Sequence, residues 1–207
     1  MRENYVIIGL GNPGSAYEHT RHNVGFDVLE AIAEKTGITQ QRKRFGGLVA
    51  EGDVRGRHLV MGQPLTYMNL SGEFVAPLCS WYKVQPDHLL LIFDDIDLQQ
   101  GRLRMRLSGS AGTHNGMRSV IGQLGRQDFP RLRVGIGGCP PSWDLKDWVL
   151  SKYRPEDRAV MQSAFALAAE TALTWMDQGA DAAMRLANAD PNKPQRNSGK
   201  AAERTER

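Results

Sequence analysis

Apolar positions follow two rhythms along this chain, and together they predict alternating strands and helices. Tyr5 to Leu10 is a short apolar run that stops at Gly11-Asn12-Pro13-Gly14, a strand feeding a turn. Val24, Val28, Leu29 and Ile32 recur at helical spacing until Gly37, so a helix begins near Val24 with His22 and Asn23 at its N-terminal edge. Phe45 to Val54 and Arg57 to Met61 flank Arg55-Gly56 as a hairpin, and Pro64 to Asn69 is a loop. Ser71 to Val84 is helical in pattern despite Pro77, and Leu89 to Phe93 is the continuous apolar run of a buried strand ending on Asp94-Asp95. Arg102, Arg104 and Arg106 alternate with Leu103, Met105 and Leu107, a half-buried strand with one cationic face. Ser108 to Gly112 is a flexible loop, Asn115-Gly116 opens a helix to about Leu124, and Arg131 to Ile136 is a further strand. From Asp144 to about Asn188 the chain is helix-rich, with Pro155 in a first-turn position. The alternation argues an α/β fold, one domain over residues 1–188. Residues 189–207 are almost wholly polar and are expected to be a disordered tail.

Composition narrows the class. At 207 residues, 41% hydrophobic and 24% charged, the chain has the balance of an ordinary globular protein, and no repeat of solenoid length is visible. The longest apolar run, Leu89 to Phe93, is far below the roughly 20 residues of a membrane-spanning helix. The start carries Glu3 and breaks at Gly11-Asn12-Pro13-Gly14 before a signal-peptide core forms, so a cytoplasmic location is the default expectation. Cys79 and Cys139 stand in no metal-binding spacing and are expected to be reduced, buried thiols. Net charge is only +3, yet between Gly101 and Arg133 seven arginines face Asp128 alone. A cationic strand in that segment suits a polyanion, or is simply a solvated face.

Five strand or helix ends present polar groups: Asn12, His22, Asn69, Asp94 and the pair His114-Asn115. Open α/β sheets gather ligands at the carboxyl ends of their strands, so these residues can converge. An imidazole can act as general base near neutral pH, a carboxylate can fix its tautomer, and amides can hold substrate or an oxyanion. Each also has a plain structural use, as helix cap or turn residue. Gly9-Leu10-Gly11-Asn12-Pro13-Gly14 matches a dinucleotide-binding glycine pattern, but Pro13 delays the helix and no acid follows at a second strand's end. Asp94 and Asp95 invite a hard cation, with Asp97 as the one further carboxylate nearby.

Six blocks in order then carry a resemblance: Gly9-Leu-Gly-Asn-Pro-Gly14, Thr20-Arg-His-Asn-Val-Gly25, Thr66-Tyr-Met-Asn-Leu-Ser-Gly72, Asp94-Asp-Ile-Asp-Leu98, Gly112-Thr-His-Asn-Gly116 and Phe129-Pro-Arg-Leu-Arg-Val-Gly-Ile-Gly137. Together they closely resemble the bacterial peptidyl-tRNA hydrolase family, collinearly from Val6 to about Leu186. The resemblance implies a single-domain three-layer α/β/α sandwich around a twisted mixed sheet, usually monomeric, needing no metal or organic cofactor. It implies hydrolysis of the ester joining a peptide to the tRNA 3′ ribose, with peptidyl-tRNA as partner and no membrane. Position by position, His22 matches the catalytic base, Asp94 its supporting carboxylate, and Asn12 the residue that discriminates blocked peptidyl esters from free aminoacyl-tRNA. Asn69 and Asn115 match amides that bind substrate near the scissile bond, and His114 stands in the same substrate-binding block. Tyr17 and Tyr67 match aromatics contacting the tRNA end, while Arg106 and Arg133 match basic residues for the tRNA phosphate. Phe93, Gln99 and Thr113 depart from the family's pattern. A non-catalytic RNA-binding relative and a nucleotide-dependent enzyme are the alternatives.

Overall fold

The computed structural model describes residues 3–189. The expected tail therefore lies, apart from Ala189, outside the described residues. Strand β1 (Asn4–Gly9) is buried from Tyr5 onward and occupies the middle of a seven-stranded sheet of order β2-β3-β4-β1-β5-β7-β6. Its neighbours are β4 (Arg57–Pro64) and β5 (Leu89–Asp95), both parallel to it, and β5 pairs in parallel with β7 (Arg131–Gly135). Antiparallel pairs close both sides: β3 (Gly47–Val54) against β4, β2 (Gln41–Arg44) against β3, and β6 (Leu103–Arg106) against β7. The sheet is thus mixed, as expected.

Alternate residues of the central strands feed two cores. Ile7, Met61, Leu90, Ile92, Leu132 and Val134 face α1 (Val24–Thr36) and α5 (Pro155–Gln178), with α6 (Ala180–Ala187) behind β6. Val6, Ile8, Val60, Leu89, Leu91 and Phe93 face α2 (Gly72–Tyr82) and α3 (Asn115–Leu124). A short helix, α4 (Leu145–Val149), precedes α5. Three layers result. Among the described residues no helix is long and apolar enough to cross a membrane.

Two glycines set where α1 begins. A Cβ on Gly9 would overlap the backbone of Gly25, and one on Gly25 would overlap Leu10 and stand 2.7 Å from the Ile92 carbonyl oxygen. Only glycine at both positions lets the first turn of α1 rest on the ends of β1 and β5. This close approach is the use of the first glycine in the dinucleotide-like pattern. Gly14 opens a single 3-10 turn, Ser15–Tyr17, and α1 starts only at Val24, so that loop lacks the helix start a pyrophosphate requires.

Several expectations are corrected. Strand β2 is absent from the sequence reading, because Gln41-Arg-Lys-Arg44 shows no apolar alternation; it is an exposed edge that pairs with β3 alone. Phe45 lies in the turn between β2 and β3, with φ 55°, instead of starting the hairpin. Pro77 is tolerated on the exposed side of α2. Cys79 and Cys139 are unpaired, as expected, but half-buried.

Candidate active site

The segments that follow β1, β4 and β5, the end of β6 and the first residues of β7 line one cleft of about 1250 Å³. Asn12, Tyr17, His22, Tyr67, Asn69, Asp94, Arg106, His114, Asn115 and Arg133, all ten candidates, line it. They come from six separate segments, brought together where the strand order reverses around β1 and β5.

His22 sits on a 3-10 turn, Arg21–Asn23, immediately before α1. Its Nδ1 lies 2.8 Å from Asp94 Oδ1, and His114 Nε2 lies 2.9 Å from the same oxygen. Burial alone would push the Asp94 carboxyl up, but the charges of His22 and His114 and the two hydrogen bonds outweigh it and hold Asp94 well below the usual carboxylate range. An ionised carboxylate only accepts, so both ring nitrogens donate. His114 Nδ1 in turn accepts from the Met117 backbone N–H at 3.2 Å, which fixes its proton on Nε2. For His22 the proton on Nδ1 leaves Nε2 as a lone-pair nitrogen, with no hydrogen bond among the described residues. Burial pulls the His22 pKa down, yet the Asp94 charge and hydrogen bond together raise it above its ordinary value.

Two imidazoles and a carboxylate have the composition of a metal ligand set, and their ligand atoms lie within 4.8 Å of one another. The proton arrangement opposes it. A ligating histidine normally donates its other N–H to an acceptor, whereas His114 Nδ1 faces an N–H donor and its Nε2 holds the proton. Asp94 and Asp95 are no better as a pair, because neighbours on a strand face opposite sides: Asp95 turns to Arg133, with which its Oδ2 pairs, and accepts from the Asp97 backbone N–H.

The amides are differently placed. Asn12 Oδ1 accepts from the Met68 N–H at 2.8 Å, while the Asn12 backbone and the Asn23 side chain hold each other reciprocally at 2.9 and 3.0 Å. Asn12 thus has Nδ2 left for a ligand. Asn69, on the turn Met68–Leu70, is exposed; Asn115 opens α3, and its Oδ1 accepts from Arg118 at 3.3 Å. Tyr67, at 58% exposure, and the partly exposed Tyr17 offer ring faces to the cleft.

A family model described as peptidyl-tRNA hydrolase matches residues 6–196, nearly the whole chain. The chain belongs to the peptidyl-tRNA hydrolase family. The peptidyl-tRNA hydrolase of Chloroflexus aggregans is 49% identical over 185 residues, covering 89% of this chain and 98% of the relative. That of Agathobacter rectalis is 47% identical, covering 89% of this chain and all of the relative. The solved peptidyl-tRNA hydrolase of Acinetobacter baumannii, 34% identical, superposes with a TM-score of 0.85 over 91% of this chain and 96% of that one.

Within this peptidyl-tRNA hydrolase fold, two expected roles change character. His114 lines the cleft, but both its ring nitrogens are committed, and its ring packs 4.8 Å from Phe93, one of the departures from the family's pattern. Arg133 also lines the cleft, with its charge paired to Asp95. Arg104 and Arg106 remain exposed on β6. Three residues carry the site without having been singled out from the sequence. Arg21 and Asn23 flank His22, and Arg131, nearly fully buried, donates to the carbonyls of Gly109, Ser110, Gln127 and Phe129, clamping the loop that forms one cleft wall. Burial, then the charge of Arg133, lowers Arg131 to about 10. Only the place of Arg21 and Asn23 beside a candidate base hinted at such roles, and an arginine in sequence reads as surface charge.

Proposed function

We propose that this chain hydrolyses the ester between a peptide and the 3′ ribose of tRNA, with His22 as general base. The observation that carries this reading is the direction of protons around Asp94: both imidazoles donate to it, which leaves His22 Nε2 as the basic atom of the cleft. Nε2 takes a proton from water, and the water oxygen attacks the ester carbonyl carbon. The carbonyl oxygen becomes an oxyanion that the free amide donors of Asn12, Asn69 and Asn115 are suited to hold. Collapse breaks the bond to the ribose oxygen, which takes the proton back from the His22 imidazolium. Asp94 stabilises that imidazolium throughout. No nucleophilic side chain is needed.

RNA would approach along β6, where Arg104 and Arg106 are exposed beside the cleft. Phosphate contacts position a substrate without reading its sequence, and stacking on Tyr17 and Tyr67 accepts any base at the single-stranded end. Both suit an enzyme that must take many tRNAs.

The test is release of N-acetyl-amino acid from N-acetyl-aminoacyl-tRNA in chelator, with unblocked aminoacyl-tRNA and His22→Ala alongside. Cleavage of the blocked ester alone, lost by about 10³-fold or more in the variant while tRNA affinity is kept, is the expected result. Undiminished turnover in His22→Ala would overturn the base assignment. Salt-sensitive tRNA binding without cleavage by the native chain would point instead to a non-catalytic RNA-binding relative.

A further inference from the structure

His22 is held largely by its neighbours. The Arg21 guanidinium, 2% exposed, lies 3.9 Å from the centre of the Trp148 ring and 5.0 Å from that of Tyr153. Its Nη1 donates to Ser151 Oγ and to the Lys152 carbonyl, both at 2.7 Å, and the Arg21 backbone N–H donates to the Ser151 carbonyl at 3.0 Å. The nearest carboxylate, Asp157, stands 3.9 Å away, so no tight ion pair accounts for a buried cation here. Taking a cation out of water costs several kcal/mol unless its geometry is well satisfied. A planar fork that hydrogen-bonds at its edge while stacking on its face is what arginine supplies and lysine does not.

The two ends of this anchor matter to the reaction. Leu145, Lys146 and Val149 of α4 line the cleft, and Trp148, from the same helix, stacks on Arg21. On the other side of His22, Asn23 is bonded reciprocally to Asn12, which reaches Met68. The turn bearing His22 is therefore gripped from the α4 wall by Arg21 and from the Asn12 loop by Asn23.

We infer that Arg21 is a positioning residue: by tying the His22 turn to Trp148, Ser151 and Lys152, it holds the imidazole in line with Asp94 and the cleft. The inference rests on the reading of His22 as the base. The experiment compares the native chain with Arg21→Lys and Ser151→Ala, following hydrolysis of N-acetyl-aminoacyl-tRNA and, without substrate, the imidazole ¹H–¹⁵N signals and titration of His22. Arg21→Lys is expected to lower kcat by about tenfold or more and Ser151→Ala by about threefold, with KM within about twofold. In both variants the His22 titration moves down, because a looser Nδ1 bond to Asp94 weakens what raises it. Should Arg21→Lys not fold, Ser151→Ala carries the same two readouts. Unchanged kcat, or a fall in kcat with His22 signals and titration unmoved, overturns the positioning role. A native chain that leaves the ester intact fails the proposed function, and the ring signals still decide the role of Arg21.

Discussion

Replacing Asp94 by asparagine isolates the charge on which both imidazoles depend. The amide oxygen can take the place of Oδ1, so His22 and His114 can go on donating over 2.8 and 2.9 Å while the negative charge is gone. With that charge removed, burial is the cause left acting on His22, and its pKa falls below the ordinary value instead of above it. The imidazolium formed as water attacks also loses its counter-charge. A hydrogen bond to a charged group contributes about 1.5–3 kcal/mol. Two unit charges roughly 4 Å apart interact by about 4 kcal/mol at an effective dielectric near 20. At about 1.4 kcal/mol per factor of ten, kcat should fall by about 10²-fold, between bounds of about 10 and 10³. KM should hold within about threefold, since buried Asp94 stands behind the imidazoles. Activity needs His22 neutral at Nε2, so the acid limb of kcat/KM lies above the ordinary histidine value in the native chain. In the variant it shifts to lower pH, and the deficit is smallest at acid pH. Release of N-acetyl-amino acid from its tRNA ester between about pH 5 and 9 measures both quantities. A kcat within about threefold of native, or a limb that stays in place or moves up, would refute the reasoning.

Two other predictions follow from charges the structure places differently. Arg106→Ala should lower the slope of log affinity for tRNA against log salt by about one, and Arg133→Ala by clearly less, because Asp95 already pairs with it; equal slopes would count against the distinction. Burial raises Asp27 to about 6, with the hydrogen bond from His19 working against it. Its folded pKa lies above the unfolded value of 3.8, so the stability it contributes is full below about pH 4 and lost as pH rises to about 6, a change of about 3 kcal/mol. Asp27→Asn should remove that loss, seen as a variant that gains on the native chain in urea unfolding from pH 4 to 7; parallel curves would refute it.

What the sequence could disclose followed from pattern. Leu89 to Phe93 announced a buried strand because β5 is covered on both faces, and Val24, Val28, Leu29 and Ile32 announced α1 because one stripe of it is covered. Most of the candidate residues could be named from ordered blocks, and each of the six blocks proved to supply at least one residue to the same cleft. What stayed hidden depends on long-range pairing. Gln41 to Arg44 is a strand only because β3 offers it an edge. Arg21 and Arg131 count as surface charge in any linear reading, yet both are buried: Arg131 donates to four carbonyls around one loop, and Arg21 Nη1 donates to Ser151 and Lys152, far along the chain. The pairing of Arg133 with Asp95 likewise depends on the register of β5 against β7, which sets Arg133 opposite Phe93 and so puts Asp95, two residues on, on the same face and within diagonal reach.

The contact of Gly9 with Gly25 makes the position of His22 a matter of backbone geometry. A base held at its height by the length of a core side chain would drift each time that side chain was exchanged. Here the ruler is main chain against main chain, and the aliphatic residues of the core behind it, Val28, Ile32 and Leu59 among them, do not set its length. Volume-conserving exchanges among such aliphatic residues can therefore accumulate with little mechanical consequence at the cleft. The fold lets the aliphatic interior drift through sequence space while two glycines fix how close α1 comes to the sheet, and Arg21 and Asn23 hold the turn in front of it.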